Sequence, residues 1–295
     1  MKVLVTGGTG MVGQAFGRLT TNHEIVLVGS KNYDLRVRKE AFQMINDHQP
    51  DAIIHLAARV GGVKGNTDFV ADFFSENVQI NTNVLDAAKE NNDIVKKVVS
   101  LLSTCVYPDK VNYPLTPDQI HNGPSHPSNF GYAYAKRMLA VHTTALRQQY
   151  GCNFIAAIPN NIFGPGDNFH LDHGHVIPAI IRKVFEAKYH NKEVVLWATG
   201  RALREFTYSD DVADILMTLL DNYDSGELIN IGKTTEYSIR EVARIICEIF
   251  DYDFNLIHWD STKPEGQFRK PSDNSVFLEK FPDFEYTNFS NGLSL

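Results

Sequence analysis

Tyr132 and Lys136 stand four residues apart in Gly131-Tyr132-Ala133-Tyr134-Ala135-Lys136. On a helix that spacing puts both side chains on one face. A free tyrosine has a pKa near ~10, too high for ready proton exchange at neutral pH. A neighbouring ammonium stabilises the phenolate and lowers that value. Tyr132 can then deliver a proton to a carbonyl oxygen as hydride reaches the carbon. Ser103, in Leu101-Leu102-Ser103-Thr104-Cys105, can hydrogen-bond the same oxygen. Tyr134 lies off the Tyr132–Lys136 face and is expected to pack. A Tyr-x-x-x-Lys pair alone occurs by chance in many helices. It gains meaning only if Ser103 lies at a strand end and a hydride donor has a binding site.

The N-terminal segment supplies that site. Val3-Leu4-Val5-Thr6-Gly7-Gly8-Thr9-Gly10-Met11-Val12-Gly13 reads as a strand entering a helix through spaced glycines. Gly7 permits the tight turn, Gly10 lets backbone approach a pyrophosphate, and Gly13 lets helix and strand pack closely. Gly7, Gly10, Met11, Val12 and Gly13 are therefore candidate dinucleotide contacts. The Gly-x-x-Gly-x-x-Gly spacing resembles the short-chain dehydrogenase/reductase superfamily, whose extended branch modifies nucleotide sugars. The second strand ends Val26-Leu27-Val28 and continues Gly29-Ser30-Lys31-Asn32. An NAD enzyme usually places an acid there for the ribose 2′-hydroxyl. Ser30 and Lys31 instead suit a 2′-phosphate, so NADP(H) is the expected cofactor. Asp34 is the competing acid, several residues further on. Lys136 is expected to hold the nicotinamide ribose as well as to assist Tyr132.

These residues need a scaffold. Lys2–Thr6, Glu24–Val28, Ala52–Leu56, Lys97–Ser103, Phe154–Ile158 and Val194–Trp197 read as strands, mostly near-continuous apolar runs as in buried parallel sheets. Helical patterns lie near Met11–Thr21, Val37–His48, Phe69–Asn91, Gly131–Tyr150 and Val176–His190. The alternation predicts an α/β fold: a Rossmann-type doubly wound parallel sheet with a smaller C-terminal substrate-binding lobe. Residues 1–160 are expected to form the NADP-binding domain. Residues 161–295 are expected to form mainly the lobe, with some segments returning to the first domain. In that half Asp211–Tyr223 and Ser238–Phe250 read as helices, followed by a loop-rich end.

Composition bounds the rest. The 295 residues carry 28 Lys+Arg against 35 Asp+Glu, a net charge of −7, with 43% hydrophobic residues. Such a chain folds rather than remaining disordered. An acidic balance disfavours a nucleic-acid-binding face. No apolar run approaches the ~20 residues of a membrane helix, and no signal-peptide pattern precedes the glycines. Three cysteines without a secretory segment give no disulfide framework, so a cytoplasmic setting is expected. Cys152 and Cys247 are assigned to packing. The Asn288-Phe289-Ser290 sequon is then fortuitous. His170, His173 and His175 share one loop without a cysteine or acidic second half, so no metal is expected.

Several segments together resemble the GDP-L-fucose synthase family of the extended short-chain branch. They are Ser103-Thr104-Cys105 with Tyr107-Pro108, and His121-Asn122-Gly123-Pro124. Next come Asn129-Phe130-Gly131-Tyr132 through Lys136-Arg137-Met138, and Pro159-Asn160-Asn161-Ile162-Phe163-Gly164-Pro165. Asp167-Asn168-Phe169 precedes Gly174-His175-Val176-Ile177-Pro178. Arg204-Glu205-Phe206 with Asp210-Asp211 is the last. The resemblance covers nearly the whole chain. It implies epimerisation of GDP-4-keto-6-deoxy-D-mannose at carbons 3 and 5, then NADPH reduction at carbon 4. It assigns Cys105 and His175 to the proton traffic of inversion and Ser103, Tyr132 and Lys136 to reduction. It assigns Asn161, Lys183, Trp197, Arg204, and Arg269 or Lys270 to the GDP-sugar. Some members carry arginine where this chain has Lys183, so a bidentate contact is lost there. The family's closing C-terminal helix is not expected before Leu295. A homodimer paired through the two long helices is implied.

Two rivals share part of this pattern. A UDP-sugar 4-epimerase with bound NAD would need neither Cys105 nor His175 and would favour an acid after the second strand. A non-enzymatic NADP-binding protein would characteristically lack the tyrosine or the lysine.

Overall fold

The computed structural model describes residues 1–171, 174–263 and 267–294. His173 and Leu295 lie outside the described residues. In chain order the strands are β1 (Lys2–Thr6), β2 (Glu24–Val28), β3 (Ala52–His55), β4 (Lys97–Leu101), β5 (Phe154–Pro159), β6 (Asn161–Phe163), β7 (Val195–Trp197), β8 (Leu203–Tyr208), β9 (Ile229–Ile231), β10 (Glu236–Ser238) and β11 (His258–Asp260). The helices are α1 (Met11–Ala15), α2 (Arg38–His48), α3 (Val63–Asp68), α4 (Val70–Glu90), α5 (Phe130–Tyr150), α6 (Val176–His190), α7 (Ser209–Asn222), α8 (Ile239–Ile249), α9 (Ser275–Lys280) and α10 (Phe289–Ser294).

The expected doubly wound sheet is present. Its six strands run parallel in the order β2-β1-β3-β4-β5-β9. Successive strand side chains point to opposite faces, and the sheet is buried on both. Leu4, Ile53, Val98 and Phe154 join Met44, Leu85 and Leu139 of α2, α4 and α5 in one apolar layer. Val3, Ile54, Val99 and Ile155 join Val12, Leu216 and Phe277 of α1, α7 and α9 in the other. Strand order reverses between β1 and β3, so a crevice opens beyond their carboxyl ends, where ligands bind in such sheets.

Four expectations are corrected. Val195–Trp197 is a strand, but it pairs with β11 in a separate two-stranded sheet. The sixth sheet strand is instead Ile229–Ile231, three residues long and too short to show a periodicity. The first helix ends at Ala15 rather than Thr21. The chain tightens there into i→i+3 bonds, Phe16 N to Gly13 O at 3.2 Å and Gly17 N to Gln14 O at 3.1 Å. A helix does close the C-terminal end: Phe289 of α10 stacks on Tyr237 with ring centroids 4.3 Å apart. That aromatic anchoring seats α10 in a third core shared by Phe163, Phe206, Ile180 of α6 and Val242 of α8.

β4 stops at Leu101, not Ser103, which leaves Ser103 just past the sheet edge. Among the described residues, no helix is long and apolar enough to cross a membrane.

Candidate active site

The glycine loop shapes one end of the site. Gly7 leaves β1 with φ +70°, a left-handed conformation that favours glycine. A Cβ on Gly13 would lie 2.3 Å from Gly7 O, so only glycine lets α1 pack on the loop. Gly7, Gly10, Met11, Val12 and Gly13 all line a cavity of about 720 Å³. That volume lies within the ~300–1,000 Å³ of small-molecule sites. From the loop the cavity continues to Ser103, Tyr132, Lys136, Asn161 and His175. The strand ends, α5 and the start of α6 therefore converge on one space.

Within it, Lys136 is buried and its Nζ donates to Leu101 O at 2.7 Å. The ammonium lies 5.8 Å from the centroid of the Tyr132 ring. Burial pushes the Lys136 pKa down to about 8. Burial also pushes Tyr132 well above the ordinary tyrosine value, with nearby Cys105 adding to the shift. This corrects the expectation of a lowered phenol. Desolvation is the dominant cause, and it favours the protonated hydroxyl. His55, buried behind Lys136, is held neutral by burial and then by the lysine charge, with its pKa near 3. Thr6 Oγ1 at 2.8 Å and Asn81 Oδ1 at 3.1 Å satisfy its two ring nitrogens.

Cys105 sits on the short turn Thr104–Val106 that follows Ser103. Ser103 Oγ accepts its N–H at 3.4 Å. Arg137 of α5 fixes the turn by donating Nε to Val106 O at 2.6 Å and Nη1 to Gly123 O at 2.8 Å. Burial pushes the Cys105 thiol up, against the opposing pull of Ser103, Lys270, Lys136 and Arg137. The thiol thus lies beside the cavity wall rather than in its lining.

At the far end Ser30, Asp34 and Arg36 line the cavity. Lys31 does not; it is exposed outside the lining. Arg36 grips Asp34 with Nε to Oδ1 at 2.8 Å and Nη2 to Oδ2 at 2.7 Å, and its Nη1 lies 3.4 Å from Glu76. That pairing holds the Asp34 carboxyl below its usual range.

The other expected substrate residues divide into groups. Lys270 lies beside Cys105 and Arg204, and burial pushes its pKa down to about 8. Arg204 donates to Leu203 O and to Gln267 O, at 2.6 and 2.7 Å. Arg269 is drawn away, with its guanidinium paired to Glu236. Lys183 and Trp197 line a separate cavity of about 310 Å³. There Lys183 Nζ donates to Val195 O at 2.7 Å, and Lys263 lies 6.0 Å from the Trp197 ring. The two cavities share α6. His175 precedes its first turn, and Lys183 follows eight residues on, about 12 Å along the axis. Among the described residues no three His, Cys, Asp or Glu side chains are grouped to hold a metal ion.

Residues 3–232 match the NAD dependent epimerase/dehydratase family. A GDP-L-fucose synthase of Dictyostelium discoideum is 43% identical over 292 residues, 97% of this chain and 90% of that one. A probable GDP-L-fucose synthase of Drosophila melanogaster is 36% identical, over 99% of this chain and 95% of that one. Among solved structures, a GDP-L-fucose synthetase from Naegleria fowleri bound to NADP superposes with a TM-score of 0.92 at 37% identity. The match covers 99% of this chain and 91% of that one. The chain belongs to the NAD dependent epimerase/dehydratase family, among the GDP-L-fucose synthases.

In this epimerase/dehydratase chain, sequence reasoning missed the place of Arg36, of Arg59 and of Lys270's proximity to Cys105. Arg59 lines the cavity and is held by Glu76 at 2.5 Å and by the Phe73 ring at 5.1 Å. Its only sequence signal is the Ala57-Ala58-Arg59-Val60-Gly61 run just after β3, at a carboxyl strand end. Lys270 is brought in by a strap that Glu205 anchors. The buried Glu205 carboxylate accepts Ser272 N at 2.9 Å, Ser272 Oγ at 2.5 Å and Asn160 Nδ2 at 3.3 Å. A buried carboxylate requires such donors, so Glu205 ties the strap to the sheet.

Proposed function

We propose that the protein converts GDP-4-keto-6-deoxy-D-mannose to GDP-L-fucose with NADPH, by inversion at carbons 3 and 5 and reduction at carbon 4. The observation that carries this reading is the single cavity joining the glycine loop to Ser103, Tyr132, Lys136 and His175. The loop residues suit a dinucleotide, because their close backbone packing leaves no room for a Cβ at Gly7 or Gly13. When bound there, NADPH supplies the hydride that goes to carbon 4.

The 4-keto group acidifies the protons on both neighbouring carbons. Cys105 and His175 divide the tasks of removing a carbon-bound proton from one face and returning one to the other. Ser103 and Tyr132 hold the enolate oxygen between those events. In the reduction Tyr132 gives its proton to the carbon-4 oxygen, which becomes a hydroxyl. Lys136, anchored on Leu101 O, holds the cofactor ribose and stabilises the resulting phenolate. The sugar nucleotide extends along α6, with Asn161, Lys183, Trp197, Arg204 and Lys270 as its partners; Arg269 supports the strap through Glu236. Incubation with NADPH and the 4-keto sugar should consume NADPH and give GDP-L-fucose by NMR. A reduced D-sugar with unchanged carbons 3 and 5 would overturn the epimerase half, and no NADPH consumption would overturn the whole.

NADPH is expected to be preferred over NADH. Asp34, the acid that would serve a ribose hydroxyl, is already neutralised by Arg36. Ser30 and Arg36 then offer a hydroxyl and a cation to the 2′-phosphate from the cavity lining, with Lys31 an exposed cation outside it. Titration should show Arg36→Ala losing ~1–3 kcal/mol for NADPH, the size of a charge-assisted contact. NADH binding should hold or improve as Asp34 is released, and Lys31→Ala should show a smaller loss of the same selectivity. Equal losses for both cofactors would show that neither cation reads the phosphate.

The same reading places the protein in the cytoplasm as a homodimer. Residues 1–160 serve the cofactor and 161–295 mainly the substrate, with α7 and β9 returning to the sheet. Along α5 the exposed Phe130, Met138 and Val141 share a face, and Phe74 of α4 is exposed as well. Light scattering should give twice the chain mass of 33.2 kDa. A monomer at micromolar concentration would refute the dimer.

A further inference from the structure

We infer that Asp167 is a positioning residue for His175 in the epimerisation. The inference deepens the proposed epimerase–reductase reading and rests on it. Asp167 follows Gly164-Pro165-Gly166, a turn in which Gly166 takes φ +81° and Asp167 N donates to Gly164 O at 3.3 Å. The turn carries the carboxylate inward, leaving its side chain only 7% exposed. Oδ1 accepts the N–H of Asn168 at 2.7 Å and lies 3.8 Å from Nδ1 of His175. Oδ2 is buried with no hydrogen-bond partner among the described residues. A buried carboxylate oxygen left without a donor is costly and calls for an explanation.

His175 approaches this carboxylate with its ring on the side of Oδ1. Its backbone is fixed as the residue preceding α6, while its side chain is half exposed and lines the cavity. One edge of the ring thus faces the sugar site and the other faces Asp167. At 3.8 Å the pair is within ion-pair reach but beyond a direct hydrogen bond. Catalytic hydrogen bonds are often long in ligand-free proteins and tighten when substrate seats. A small ring rotation then lets Nδ1–H donate to the carboxylate, which fixes the tautomer and aims Nε2 at the sugar. When Nε2 takes a carbon-bound proton the ring becomes an imidazolium, which Asp167 stabilises. The thiol of Cys105 protonates the carbon from the opposite face; the imidazolium then releases its proton to solvent and the thiolate regains one, which leaves the neutral Nδ1–H tautomer on Asp167. No proton moves to the carboxylate.

The test is deuterium incorporation into the 4-keto sugar in heavy water without NADPH, read by mass spectrometry. Wild type, His175→Gln, Asp167→Asn, Asp167→Glu and the Asp167→Asn/His175→Gln double variant are compared. Asp167→Asn should slow exchange by about 10–100-fold while leaving NADPH affinity unchanged. Asp167→Glu should recover most of the rate, and Asp167→Asn should add nothing in the His175→Gln background, as expected of residues acting through one another. Wild-type exchange in Asp167→Asn, or losses that multiply in the double variant, would overturn the positioning role and leave the epimerase reading intact. Should Asp167→Asn fail to fold, recovery in Asp167→Glu carries the inference, and a rate there as low as in His175→Gln overturns it. Absence of exchange in wild type would remove the epimerase reading itself, and the inference with it.

Discussion

Tyr132→Phe is expected to slow reduction at carbon 4 by about 10²–10⁴-fold, the usual weight of a positioned general acid. NADPH binding should stay nearly unchanged. Phenylalanine keeps the ring that meets Phe73 edge-on, with centroids 6.5 Å apart, and keeps a face for the Lys136 ammonium at 5.8 Å. Only the proton donor is lost. Burial favours the protonated form of Tyr132 in the resting protein, as a general acid requires. The ammonium is the weaker partner. With the Lys136 pKa near 8, the lysine is charged below that value and neutral above it. Single-turnover reduction should therefore decline as pH rises through about 8, and Lys136→Arg should abolish that limb at a lower plateau. Near-wild-type turnover by Tyr132→Phe would move the acid elsewhere, with Ser103 next in line.

Why some of this was legible in the sequence and some not follows from what each residue depends on. The glycine turn and the Tyr132–Lys136 pair are local patterns: backbone sterics demand the one and helical spacing creates the other. The sheet was legible because buried parallel strands are continuous apolar runs. β9 escaped because three residues carry no period. β7 was legible as a strand, but its partner β11 lies some sixty residues away and only tertiary folding pairs them. Lys270 reaches Cys105 because Glu205 holds Ser272, a contact across 67 residues. Arg36 replaces Lys31 at the cavity because the loop after β2 turns its later residues inward. The direction of the Tyr132 shift was misjudged for a related reason. A lysine four residues away is visible in sequence, whereas the desolvation that raises the phenol is a property of the whole fold.

Cys105→Ser and His175→Gln should each slow carbon–hydrogen exchange by about 10²–10⁴-fold while leaving NADPH binding unaffected. Serine preserves the shape of the turn that Arg137 fixes, and its N–H can still reach Ser103 Oγ. A hydroxyl, however, has a far higher pKa than a thiol and is a poor base. The thiol itself is pushed up by burial, and the cations of Lys270 and Lys136 stand beside it to favour the thiolate when it forms. A serine in the same field gains too little from those cations to compensate. Glutamine at position 175 keeps hydrogen-bonding capacity at the start of α6 but cannot take or release a proton near neutrality. Deuterium incorporation without NADPH isolates inversion from hydride transfer, so the reduction machinery at Ser103, Tyr132 and Lys136 cannot mask a loss. Each variant should also let partially inverted or uninverted sugar be reduced when NADPH is supplied, and NMR of that product shows which carbon failed. Wild-type exchange in both variants would leave the family membership and the cofactor cradle standing. It would remove Cys105 and His175 from the proton traffic and move the inversion to other residues of the cavity.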